Sequence, residues 1–142
     1  SITNMVLNEK NWGITHRQRY DAFAERVSDI KEVLKHKISE LNRQGFKVGA
    51  FGAPAKGNTL LNYVGFTPDD IVAVAENNEL KIGKVTPGSH IPIISDEDFL
   101  QAGLPYALLL SWNYADFFLQ KAEYIKQGGK FIIPLPQCVI KP

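Results

Sequence analysis

The chain reads FKVGAFGAPAKGNTLLNY from Phe46 to Tyr63. Its opening part, Phe46 to Phe51, is a short apolar run of the kind that forms a buried strand. A turn of small residues follows, and from Lys56 to Tyr63 the apolar residues recur with helical spacing. A strand, a tight turn and a helix in this order form the first unit of a parallel α/β sheet.

The same alternation of strands and helices continues to the end of the chain. The remaining elements are predicted as strands at Ile71–Ala75, Ile91–Ile94, Tyr106–Ser111 and Lys130–Ile133, with helices at Asp96–Gln101 and Tyr114–Gln127. Right-handed crossovers would place these helices on both faces of the sheet. We therefore expect an α/β fold that is Rossmann-like and doubly wound, with a mostly parallel sheet of about five strands.

A long helix precedes this region. Apolar residues at spacings of three and four predict one helix from about His16 to Arg43, which Gly45 then ends. At 1.5 Å per residue the helix would be ~42 Å long, more than a small sheet can cover. We expect one domain over residues 1–142, with the N-terminal helix at 16–44 and the Rossmann-like region at 46–136. Part of the helix is expected to pack on another domain or on a second subunit of a homo-oligomer.

Composition excludes several classes of protein. The 142 residues carry a net charge of +1 without a basic block, which argues against a nucleic-acid partner. No apolar stretch approaches the ~20 residues that cross a membrane, so we expect no membrane partner and a cytoplasmic location. Cys138 is the single cysteine, and His16, His36 and His90 have no metal-ligand spacing. We therefore expect no disulfide and no metal site.

The segment after the first strand is the sharpest candidate site, because ligands bind at the carboxyl ends of parallel strands. Small residues let a backbone approach a ligand, free N–H groups at a helix start favour an anion, and Lys56 would add a positive charge. Asn58 after Gly57 excludes a Walker A loop, and Pro54 stands where a dinucleotide fingerprint needs glycine. A tight turn without a ligand is an equal alternative. The candidate residues are Gly52, Ala53, Pro54, Ala55, Lys56, Gly57, Asn58 and Thr59.

Further candidates follow the other strands. Glu76 stands where doubly wound proteins often place an acid that binds a ribose, although exposed glutamates are common there. Pro87 and Gly88 predict a turn before His90, which could be a general base, a phosphate contact or a hydrogen-bonding core residue. Trp112 and Asn113 could bind a base or a sugar, or could close the core and cap a helix.

Four ordered segments resemble the C-terminal domain of a family of S-adenosylmethionine-dependent C-methyltransferases that act on nucleotide-linked deoxysugars. The resemblance covers about Tyr20 to Pro136. The segments are Gly52 to Tyr63, Pro87 to Ile93, Leu110 to Asn113, and Gly128 to Pro136. In this family the full enzyme has an N-terminal zinc-binding region, a central methyltransferase domain and a Rossmann-like C-terminal domain, and this chain resembles the third.

The resemblance implies that this chain contains no catalytic residue and binds no cofactor. S-adenosylmethionine and zinc are expected in the other parts of the parent enzyme. The implied substrate is a nucleotide-sugar, namely a sugar linked to thymidine diphosphate. The other implied partner is the chain's own N-terminal methyltransferase domain. Carried over by position, the substrate-facing residues are those of the Gly52 to Thr59 loop together with Glu76, Lys81, Pro87, Gly88, His90, Trp112 and Asn113.

The chain departs from the family pattern at three places. Glu76 stands where the family usually has Asp, Asn77-Asn78 follows it where the family has Asn-Pro, and Ser111 replaces a more usual Pro or Ala. Two other functions stay open on the residues alone. One is a stand-alone nucleotide or nucleotide-sugar binding module with a regulatory role and no catalysis. The other is a nicotinamide-dependent dehydrogenase, which Pro54 disfavours.

Overall fold

One mixed sheet organises the computed structural model, which describes residues 1–142. Its strands are β1 (Val48–Phe51), β2 (Val74–Glu76), β3 (Ile93–Ser95), β4 (Tyr106–Leu109), β5 (Lys130–Ile133) and β6 (Val139–Lys141). The strand order is β3-β2-β1-β4-β5-β6, and every neighbouring pair is parallel except β5 and β6. The predicted α/β class with a mostly parallel sheet is confirmed.

Helices cover both faces of the sheet, as the doubly wound pattern predicts. They are α1 (Ile2–Trp12), α2 (Arg17–Arg43), α3 (Ala55–Val64), α4 (Asp96–Gln101), α5 (Ala115–Lys121) and α6 (Glu123–Lys126), with a 3-10 turn at Trp112–Tyr114. On one face, α2 and α3 bury aliphatic side chains such as Ile38 and Leu61. On the other face, an aromatic core joins Phe51, Phe99 and Phe131.

Several predicted elements have different boundaries in the structure. The third strand spans Ile93–Ser95 rather than Ile91–Ile94, and the fourth ends at Leu109 rather than Ser111. The first strand begins at Val48, because Phe46 turns outward and its ring packs edge-on against Tyr106. The second strand begins at Val74 rather than Ile71. The predicted helix over Tyr114–Gln127 is broken at Ala122, whose backbone is extended.

The break at Ala122 serves the aromatic core. In an unbroken helix, residues six positions apart lie on different sides. Phe118 and Tyr124 are six apart, yet both contact Phe51, with ring centroids 5.6 and 6.1 Å from it. The extended Ala122 turns Tyr124 inward, where its hydroxyl donates a hydrogen bond to the Leu104 carbonyl at 2.9 Å.

The sheet has six strands rather than about five. The additional strand, β6, pairs antiparallel with β5 and covers its outer edge. It is only three residues long and follows a segment rich in proline, so its pattern in the sequence is too short to predict a strand.

The N-terminal helices extend beyond the sheet. No residue of α1 is buried, and no helix was predicted there. Leu34, Ile38 and Leu41 anchor the second half of α2 in the core, whereas Tyr20 and Phe23 in its first half are 53% and 59% exposed. We call residues 1–30 the N-terminal arm; what it packs against stays a prediction. None of the helices, α2 included, has the length and apolar character required to cross a membrane.

A matched pair of substitutions tests this division of α2. We expect Ile38→Ala to lower the free energy of unfolding by about 2–5 kcal/mol, because Ile38 is fully buried. Phe23→Ala should change it by less than about 0.5 kcal/mol, because no core contact is lost. Urea denaturation followed by circular dichroism measures both. A large loss for Phe23→Ala would show that the arm packs on its own domain.

Candidate functional site

The largest cleft lies at the carboxyl edge of the sheet, between the start of α3 and the connection from β2 to β3. Its volume is about 620 Å3, and its lining is mostly apolar. We call it the α3 cleft. It brings together six of the residues singled out in the sequence, namely Ala53, Pro54, Ala55, Asn58, Lys81 and Pro87.

The start of α3 forms one wall of the α3 cleft, through Pro54, Ala55 and Asn58. The first bond of α3 runs from the Asn58 N–H to the Pro54 carbonyl at 3.1 Å. The N–H groups of Ala55, Lys56 and Gly57 precede it and have no acceptor within the helix. They supply the donors that were predicted to favour an anion at this turn.

The glycines of the turn are explained by contacts within the chain. Gly52 has a φ of +80°, and a Cβ on it would lie 2.8 Å from the Ser111 hydroxyl oxygen. A Cβ on Gly57 would lie 2.7 Å from the Leu110 Cβ. Gly57 thus lets α3 approach the end of β4. The structure uses both glycines for close packing of the chain on itself. Whether they also admit a ligand stays a prediction.

Lys56 points away from the α3 cleft. Its ammonium group donates a hydrogen bond to the Asn113 side-chain oxygen and lies 4.7 Å from the centre of the Trp112 ring. Trp112 and Asn113 line a different cleft of about 410 Å3, bordered by residues after β5. Lys56 therefore joins the start of α3 to the 3-10 turn. Thr59 is exposed, and its hydroxyl bonds back to the Ala55 carbonyl.

The Glu76 carboxylate is held by four donors from its own chain. One oxygen accepts from the Ala53 N–H and from the Lys81 ammonium, both at 3.1 Å. The other accepts from the N–H groups of Asn77 and Asn78, at 3.0 and 3.2 Å. Lys81 also donates to the Ala53 carbonyl at 2.9 Å. We call Glu76, Lys81 and Ala53 the carboxylate clamp.

The clamp corrects one interpretation of Glu76. The side chain is not an exposed strand-end glutamate, since the residue is only 9% exposed. A role in binding a ribose stays a prediction, and any ribose hydroxyl would compete with donors already in place. Burial acts to raise the pKa of Glu76, but the hydrogen bonds from Lys81, Asn78 and Ala53 and the charge of Lys81 outweigh it. The net effect lowers the pKa.

A third cleft, of about 270 Å3, is bordered by the ends of β1 and β2 and by Ser111 after β4. It adjoins the point between β1 and β4 where strand order reverses and where doubly wound folds bind dinucleotides. Gly52, Glu76 and Asp96 border it. Partial burial and the nearby Glu76 charge raise the pKa of Asp96. We call this space the switch-point cleft.

The Pro87 turn forms the wall of the α3 cleft opposite the helix. The Pro87 carbonyl accepts a hydrogen bond from the Asn62 side chain at 2.9 Å, and Gly88, with a φ of +81°, packs against that side chain. His90 lies outside the cleft. It is exposed with a φ of +55°, and its N–H bonds to the Thr86 carbonyl. His90 is therefore not a core hydrogen-bonding residue.

Sequence reasoning missed several lining residues. Leu80, Lys84 and Val85 also face the α3 cleft, from the connection between β2 and β3. The one feature of the sequence that could have identified them is their position in the segment that connects two predicted strands. No group of three or more His, Cys, Asp or Glu side chains lies close enough together to hold a metal ion.

The carboxylate clamp generates a prediction about pH. The pKa of Glu76 in the folded chain is lower than its ordinary value of 4.5. The stability that the ionised carboxylate contributes is therefore fully present above about pH 4.5, and it is lost as the pH falls through the lower folded-state pKa. Glu76→Gln should lower the free energy of unfolding by about 1–3 kcal/mol at pH 7, because the amide nitrogen of the glutamine then faces a hydrogen-bond donor. Denaturation of both chains from pH 7 to pH 3 should show this difference shrinking. The exposed Glu79→Gln is the control, and an equal loss there would contradict the assignment.

Comparison with known proteins agrees with the motifs. The family model for the C-methyltransferase C-terminal domain matches residues 1–136. The chain is also 33% identical over 138 residues to the C-methyltransferase NovU of Streptomyces niveus, which covers 96% of this chain and 33% of the relative. The chain thus spans about a third of the length of the curated relative that it matches. It belongs to the family of C-methyltransferase C-terminal domains.

Proposed function

We propose that this chain is the substrate-binding C-terminal domain of an S-adenosylmethionine-dependent C-methyltransferase that acts on a nucleotide-linked deoxysugar. The observation that carries the proposal is the α3 cleft, with unbonded N–H groups at its edge, in a chain of this family. The cleft volume of about 620 Å3 lies within the usual range for small-molecule sites.

The chemistry of the cleft suits a sugar linked to thymidine diphosphate. The N–H groups of Ala55, Lys56 and Gly57 can donate to a phosphate, and Lys84 at the rim adds a positive charge. Leu80 and Val85 offer apolar surface to a base or to a deoxysugar. A deoxysugar has fewer hydroxyl groups to desolvate than an ordinary sugar, which favours such a lining.

The switch-point cleft argues against a methyl-donor site in this chain. A nucleoside cofactor would belong in the switch-point cleft, which has a volume of only about 270 Å3. The backbone N–H of Ala53 and the carboxylate of Glu76, which could otherwise bind it, are hydrogen-bonded to each other. We propose that S-adenosylmethionine and the family's zinc are bound by other parts of the enzyme. The chain alone is then a binding domain without turnover, in a cytoplasmic enzyme.

The N-terminal arm is the proposed contact with the rest of that enzyme. Its aromatic side chains Tyr20 and Phe23 are more than half exposed, and α1 buries nothing. An isolated helix as short as α1 is marginally stable in water, so it gains from packing on a partner. We propose that the methyltransferase domain covers the arm, because the relative has about two-thirds of its length outside the matched region.

A charge placed at the cleft mouth tests ligand binding. Ala55 is the first residue of α3, where Glu is favourable for the helix. We expect Ala55→Glu to fold normally and to bind thymidine diphosphate about tenfold more weakly at low salt, because two negative charges then share one site. Isothermal titration calorimetry measures the affinity.

Ala55→Gln is the matched control, since it has nearly the same size without the charge. It should bind almost as tightly as the wild-type chain. The difference between the two variants should shrink at high salt, where the repulsion is screened. Equal affinity of the Glu and Gln variants at low salt would place the diphosphate elsewhere, and no binding by the wild-type chain would refute the proposed function.

A further inference from the structure

An indole ring borders a cleft to which the proposed function assigns no part of the ligand. This cleft, of about 410 Å3, lies where the chain leaves β4 and β5, and Trp112, Asn113, Ile133 and Leu135 are among its lining residues. We call it the Trp112 cleft. Its volume lies within the usual range for small-molecule sites. Trp112 is the only aromatic residue that lines either this cleft or the α3 cleft.

The ring of Trp112 is held in place by contacts within the chain. It packs against the buried cores on both faces of the sheet. The Lys56 ammonium lies 4.7 Å from the centre of the ring and donates a hydrogen bond to the side-chain oxygen of the neighbouring Asn113. A ring that is already ordered loses little conformational entropy when a flat ligand stacks on it.

Exposed polar side chains surround this ring. Asp116, Gln137 and Lys141 line the Trp112 cleft and are exposed. A carboxylate accepts hydrogen bonds, and an amide both donates and accepts them. The pyrimidine base of a thymidine nucleotide presents one N–H between two carbonyl groups, so it needs this mixture of partners. An aromatic face with donors and acceptors around it is therefore suited to a base.

The α3 cleft has a different chemistry. None of its lining residues is aromatic, and Leu80, Val85 and Leu110 contribute to a mostly apolar lining. Such a lining favours a deoxysugar, which has fewer hydroxyl groups to desolvate. The first turn of α3 joins the two clefts, since Ala55 lines the α3 cleft and Lys56 bonds to Asn113 of the Trp112 cleft.

We propose that the Trp112 cleft is the base subsite of the nucleotide-sugar. The pyrimidine base stacks on Trp112, the diphosphate crosses the first turn of α3 beside Lys56, and the deoxysugar enters the α3 cleft. The inference rests on the proposed function and deepens it, because it assigns each end of the ligand to one cleft.

Tryptophan fluorescence tests the stacking directly. The chain has two tryptophans, and the other one, Trp12, lies in the N-terminal arm. Trp12→Phe keeps a ring for the contact with Arg19 and leaves Trp112 as the only emitter. Thymidine diphosphate should quench this emission, excited at a wavelength that thymine does not absorb. Inorganic diphosphate is the control, because a displacement of Lys56 by phosphate alone would change the emission with either ligand. Quenching should be clearly larger with the nucleotide.

Isothermal titration calorimetry with Trp112 variants tests the same contact by affinity. Trp112→Leu retains an apolar side chain but no ring, and it should weaken binding of thymidine diphosphate about tenfold. Its affinity for inorganic diphosphate should equal that of the wild-type chain. Trp112→Phe, which keeps a ring, should recover most of the loss. Equal losses for both ligands in Trp112→Leu would show that Trp112 only positions Lys56, and would overturn the proposal.

The outcomes separate failure of this inference from failure of the proposed function. Unchanged Trp112 emission while thymidine diphosphate binds would overturn the base subsite alone, and this measurement decides even if Trp112→Leu does not fold. Quenching by thymidine diphosphate-glucose but not by thymidine diphosphate would place the sugar on Trp112 and would also overturn it. Absence of binding of both nucleotides to the wild-type chain would overturn the proposed function as well.

Discussion

The arrangement of the carboxyl edge of the sheet depends on the carboxylate clamp. A carboxylate that is only 9% exposed is stable there because four donors replace the water it has lost. Through Ala53 and Lys81, the clamp fixes the loop after β1 against the loop after β2. The direction of the Gly52 turn, and therefore the place where α3 begins, follows from this contact.

The clamp also determines which backbone donors are available. Because the Ala53 N–H is bonded to Glu76, the free donors are those of the first turn of α3. The proposed binding surface therefore lies on the helix side of the loop rather than at the switch point, where doubly wound folds usually bind nucleotides. Lys56, bonded to Asn113 across the edge, separates that surface from the cleft beside Trp112. One edge of the sheet is thus divided into three spaces of different chemistry.

The fold was largely predictable because its signals are local. Buried parallel strands such as β4 read as continuous apolar runs, and the turn after β1 has its own pattern of small residues. The interruption at Ala122 was not predictable, since it results from the packing of Phe118 and Tyr124 around Phe51. Strand β6 is too short to carry a pattern of its own.

The candidate site was less predictable, because its side chains meet partners far away in the sequence. Lys56 and Asn113 are 57 positions apart. An acidic residue at the end of a strand gives the same sequence pattern whether it binds a ribose or its own backbone. The role of Glu76 could therefore not be assigned without the fold.

The shape of α2 has a mechanical consequence. Its second half is anchored from Leu34 onward, while its first half is free of the sheet. A rigid helix held at one end acts as a lever, and at 1.5 Å per residue a tilt of 10° about Leu34 would move Arg17 by roughly 4 Å. Because α2 packs on α3, a small displacement of α3 as its cleft fills would be amplified at the far end of the arm.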